Sequence, residues 1–60
     1  MRNKDRIDKM LLLIERLWKK YPDLRLGQII LNVVPEDKLY YIEDDVLYNL
    51  IKERYNIEED

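Results

Sequence analysis

Ile7, Met10, Leu11, Ile14, Leu17, Trp18 and Tyr21 recur at intervals of three and four, and Pro22 follows at once. That spacing puts all seven side chains on one face of an α-helix. Proline cannot extend the helix, because it lacks the N–H and its ring clashes with the preceding turn. The pattern predicts a helix over 5–20. Asp5 or Asn3 is placed to cap its start. Asp8 lies near the positive end of the helix dipole, and Lys19 and Lys20 lie near the negative end.

Two further segments follow. Asp23 is placed to cap a second helix over 24–33, with Leu26, Ile29, Ile30 and Val33 as its apolar stripe. Val34 precedes Pro35 and is pushed out of the helical region, which ends that element. Ile29–Val34 is rich in β-branched residues and also reads as a strand, but its only available partner is Leu39–Ile42, so helix is the better reading. Pro35–Lys38 is a turn by composition, and 39–42 is expected to be extended, with one of Tyr40 and Tyr41 facing inward and the other outward. Glu43, Asp44 and Asp45 stand where a third helix over 44–55 would begin, Asp44 being the expected cap. Leu47, Leu50, Ile51 and Tyr55 give it a buried face, and the acidic end from Ile57 onward should fray. The expected fold is all-α: a single domain, 1–60, built as a bundle of three short helices.

A chain of 60 residues is at the size where folding buries only about 60% of the unfolded surface. Domains of this size lean on disulfides, metals or a partner subunit. With no Cys there is no disulfide, and with neither Cys nor His no structural zinc is expected, so a homo-oligomer or another protein partner is expected. The longest uninterrupted apolar run, Met10–Ile14, is far shorter than the roughly 20 residues of a membrane span. It is also too short for a signal-peptide core, so no membrane role and a cytoplasmic location are expected.

Ser and Thr are absent as well as His and Cys. The usual neutral-pH acid–base group is therefore missing, along with the usual activated nucleophiles and the main zinc ligands. What remains (carboxylate, amine, guanidinium, amide, phenol and indole) suits a binding surface, and the expectation is a non-enzymatic protein without cofactor or metal. Glu43, Asp44 and Asp45 lack the alternating ligands and the glycine of a calcium loop, and carboxylates at a helix start are favoured by the dipole in any case.

Charge is unevenly divided. Residues 1–25 carry eight basic and four acidic side chains, a net of +4; residues 26–60 carry three and nine, a net of −6. Arg2, Lys4, Arg6 and Lys9, followed by Arg16, Lys19 and Lys20, allow an alternative reading as a nucleic-acid accessory protein. Against it, the overall charge is −2, and a third helix led by three carboxylates would repel phosphate. Nucleic acid is thus the less favoured partner. Leu12 points away from the main stripe, Leu13 stands at its margin, and Leu31 lies off the face of the second helix. With Tyr40 and Tyr48, they are the candidates for a protein-facing surface.

The series Trp18, Tyr21-Pro22-Asp23-Leu24-Arg25-Leu26-Gly27-Gln28, Asn32 and Tyr40-Tyr41-Ile42-Glu43-Asp44-Asp45 resembles a pattern in short bacterial and phage proteins of unassigned function. The resemblance covers about half the chain. It implies a small cytoplasmic protein of mobile-element origin, with no activity to carry over, and it singles out Arg25, Gln28, Asn32 and Tyr41–Asp45. These residues have a structural reading and a recognition reading. In the first, Arg25 bridges to Asp44 or Asp45, Gly27 permits a close approach of a helix or of the Trp18 ring, and Gln28 and Asn32 bond the backbone of 39–42. In the second, Arg25, Gln28 and Asn32, with Glu43, Asp44 and Asp45, line a polar site. The structural reading is preferred. The expected function is that of an interaction module that self-associates or docks on another protein, such as a mobile-element adaptor or inhibitor.

Overall fold

In the computed structural model, which describes residues 4–57, four helices follow one another: α1 (Asp5–Lys20), α2 (Leu26–Leu31), α3 (Glu36–Leu39) and α4 (Asp44–Tyr55). There is no strand among the described residues. The all-α expectation holds, while the three-helix count and the extended 39–42 segment are corrected. Pro35 takes the N-cap position of α3 with φ −59°, where its missing N–H is no loss, and Glu36 and Asp37 favour the positive end of that turn. Leu39 closes α3, and Tyr40 and Tyr41 form the turn that leaves it.

The boundaries of α1 and α4 match the spacing, but the caps differ. Lys4, with helical backbone angles, holds the N-cap position of α1, while Asp5 is its first helical residue; Asn3 lies outside the described residues. Glu43, in extended conformation, is the N-cap of α4 in place of Asp44. α2 is shorter than expected. Asp23 sits in the preceding turn, and the extended Arg25 is the N-cap, its N–H donating to Gln28 Oε1 at 2.9 Å. Gln28 thus supplies the backward half of a capping box, which starts the helix two residues later than an Asp23 cap would.

α4 ends on Asn56 in the left-handed region (φ 53°, ψ 47°), a conformation asparagine tolerates better than most residues. The next residue, Ile57, donates its N–H to the Lys52 carbonyl at 3.2 Å and is only 9% exposed. This is a Schellman closure, with the residue after the left-handed turn returning to the core. Ile57 is therefore anchored and not frayed; residues 58–60 lie outside the described residues.

The core consists of Leu13 and Leu17 from α1, Ile29 from α2, Ile51 and Tyr55 from α4, and Ile57, with Met10, Leu24, Val33, Leu47 and Tyr48 packed against it. Leu17, Ile29 and Ile51 are fully buried. α1 against α4 is the main helix pairing. The loop between α1 and α2 is held by the Trp18 indole, whose Nε1–H donates to the Leu24 carbonyl at 2.7 Å.

Candidate interaction surface

The apolar arc of α1 is wider than the core that covers it. At 3.6 residues per turn, the arc from Leu13 through Leu17, Met10 and Ile14 to Leu11 spans about 160°. α2 and α4 cover the side centred on Leu13 and Leu17, which are 3% and 0% exposed. On the other side Ile7, Leu11 and Trp18 are 48%, 60% and 38% exposed. Ile14, half-buried, lies between the two sides. Ile7, Leu11, Ile14 and Trp18 follow one another at four, three and four residues, so they form one continuous strip along α1. Its N-terminal part opens into a shallow depression of about 180 Å³ lined by Ile7, Met10 and Leu11 together with Arg6 and Asp44.

This strip corrects the surface expected from the sequence. Ile7, Leu11, Trp18 and Tyr21 share the apolar face that the spacing predicts, yet all four are exposed. Leu13, assigned to the surface, is buried because the core is centred toward Leu17 and away from Leu11. Leu12 is exposed as expected, but its neighbours one turn away are Asp8, Lys9, Glu15 and Arg16, so it stands as a single leucine in a charged face. Leu31 is also exposed. Tyr48 is half-buried against the core, with the Lys9 amine 5.1 Å from its ring centroid. Tyr40 and Tyr41 are both outward, at 88% and 80% exposure, which overturns the expected alternation. Their rings meet edge to face with centroids 5.0 Å apart.

The polar residues are placed differently from the expected bridge and backbone bonds. Asp44 pairs with Arg6 of α1, so the ion pair at the start of α4 joins it to α1 and not to Arg25. Asp45 accepts from the Val46 N–H. Gln28 caps its own helix, as described. Asn32 donates to the Tyr55 hydroxyl, which donates to the Ile29 carbonyl, both at 3.1 Å. That chain ties α2 to the end of α4 and satisfies the buried phenol. Gly27 has nothing within 4 Å of where a Cβ would stand, so no close approach requires a glycine there. Gln28 thus bonds within α2, Asn32 bonds toward the end of α4, and Asp44 bonds toward α1. Among the described residues, no three acidic groups are placed to hold a metal ion.

No protein family, curated protein or solved structure was found to match the chain. Among the described residues, no helix is long and apolar enough to cross a membrane.

Proposed function

We propose that this chain is a non-enzymatic interaction module that self-associates or docks on another protein through the Ile7–Leu11–Ile14–Trp18 strip. The exposure of that strip carries the reading. Ile7, Leu11 and Trp18, three large exposed apolar side chains on one strip of a small domain, form a patch of the kind that marks protein contacts. The mobile-element origin implied by the resemblance makes an adaptor or inhibitor of a host protein a natural setting, by analogy alone.

Leu11→Asp tests it. The expected result is unchanged helicity by circular dichroism with loss of association, read by sedimentation velocity for self-association and by pull-down for a host partner. Leu12→Asp, placing the same charge in the charged outer face of α1, should leave both readouts alone. Association that survives Leu11→Asp sinks the assignment.

A second reading rests on the basic residues of α1, among them Lys9 and Lys20 on the flank next to the core, which offer cations to phosphate. It ranks below the first because Lys9 lies over the Tyr48 ring and Lys20 over the Tyr21 ring. Nuclease treatment and added salt separate the two. Phosphate contacts weaken steeply with salt, whereas an aliphatic strip is not weakened by it.

A further inference from the structure

The α1 strip reads the same in both directions. From Ile7 through Leu11 and Ile14 to Trp18 the steps are four, three and four residues, so reversing the helix returns the same row of positions. An interface between two identical chains about a two-fold axis needs such a self-complementary patch. With the axis between Leu11 and Ile14, Ile7 comes to the level of the second copy's Trp18, and Leu11 to the level of its Ile14. The four–three alternation is the one by which side chains of paired helices enter each other's gaps. Shape agrees with this register. The depression of about 180 Å³ beside Ile7, Met10 and Leu11 lies at the end that meets the second copy's indole. Trp18 is held by its bond to the Leu24 carbonyl yet remains 38% exposed, so part of the ring stands clear of its own chain.

Charge favours the same orientation. α1 is acidic in its first turn and basic in its last. Asp8 follows Ile7 and Lys19 follows Trp18, which sets both on one flank of the strip, and both are exposed. Antiparallel copies place Asp8 near Lys19 twice, whereas parallel copies place Asp8 near Asp8 and Lys19 near Lys19. Glu15, on that flank as well, is 4.0 Å from its own Lys19. Arg6 and Lys9 face the other way, toward Asp44 and the Tyr48 ring. We propose that the occupant of the strip is a second copy of this chain, laid antiparallel about a two-fold axis between Leu11 and Ile14. This rests on the reading of the strip as the docking surface and adds the partner and its orientation.

The test follows sedimentation velocity and Trp18 emission together over a concentration series. Trp18 is the only tryptophan, so its fluorescence reports on this face alone. The expected result is a monomer–dimer equilibrium with emission moving to shorter wavelength in step with mass. Leu11→Asp should weaken dimerisation by about tenfold or more, because each copy would bury a carboxylate without a partner. Asp8→Lys should weaken it severalfold at low salt, and Asp8→Lys/Lys19→Asp should recover it. A parallel dimer would respond to neither change, and that insensitivity overturns the proposal. The chain has no cysteine, so Asp8→Cys and Lys19→Cys each introduce a single thiol. A short bis-maleimide should couple the two variants to each other and neither to itself; self-coupling contradicts the antiparallel arrangement. A dimer whose Trp18 emission stays fixed has its interface elsewhere, which also sinks the proposal. A wild type that remains monomeric throughout rules out the second copy. If Leu11→Asp then still loses a host protein in the pull-down, the strip remains the docking surface with a different partner; if it loses nothing, both readings fall.

Discussion

The two flanks of α1 use the same kinds of residue and meet opposite fates. Leu13 and Leu17 disappear beneath α2 and α4, while Ile7 and Leu11, on the same apolar arc, remain about half exposed. Periodicity reports where an arc is centred and how wide it is. It does not report how much of the arc the rest of the chain can reach. In this molecule the reach is set by α2, only six residues long, and by α4, whose N-terminus meets α1 at the Arg6–Asp44 pair. Neither extends over Leu11. An arc of about 160° facing so few partners leaves a remainder, and that remainder is the candidate surface.

The sharpest way to break this comparison is to truncate both flanks identically. Leu17→Ala removes a side chain with no exposure and should cost about 2–5 kcal/mol. A domain of this length has on the order of 3–9 kcal/mol in total, so much of the population should unfold. Leu11→Ala, at 60% exposure, should stay within about 0.5 kcal/mol of the parent in dilute solution. Thermal and urea denaturation followed by circular dichroism read both. Similar losses from the two variants would mean that the flanks are equally covered, and the strip would cease to be a surface.

Tyr55 and Tyr40 extend the comparison to polar groups. Tyr55 is 8% exposed, and its hydroxyl accepts from Asn32 and donates to the Ile29 carbonyl; Tyr40 is 88% exposed. Tyr55→Phe leaves a buried carbonyl without its donor and should cost about 1–3 kcal/mol, while Tyr40→Phe should be close to neutral. A neutral Tyr55→Phe would show that the hydroxyl chain does not tie α2 to α4, and urea midpoints at constant slope suffice to decide it.

The extents of α1 and α4 were legible in the sequence because Pro22 and the run of apolar spacings in α1, and the acidic start of α4, are local signals. The segment between them was less legible. Asp23 is as good a cap by type as any residue in the chain, but Gln28 reaching back to the Arg25 N–H selects the later start, and only the backbone geometry decides between them. A period of two at Tyr40 and Tyr41 holds only for extended backbone; once Pro35 begins a helical turn, that period has no meaning. Asn56 is a local signal of another kind. An asparagine just past a helix and before an isoleucine is the sequence form of a left-handed closure that brings the isoleucine back to the core. Which flank of α1 would be covered had no local signal at all.

Gly27 offers the finest probe, on the exposed side of α2. It lies inside α2, is exposed, has a negative φ, and has open space where a Cβ would stand. In an exposed helical position glycine costs roughly 0.5–1 kcal/mol relative to alanine, mainly because the unfolded chain has more freedom to lose. Gly27→Ala should therefore stabilise the monomer by about that amount, seen as a higher urea midpoint at unchanged slope. The sign is the informative part. A gain at low protein concentration that turns into a loss of association as concentration rises would mean that a second copy packs its backbone against Gly27. The exposed flank of the molecule would then run from the α1 strip to α2. A gain independent of concentration would confine the contact to α1, and a loss under all conditions would contradict the open space found around this glycine.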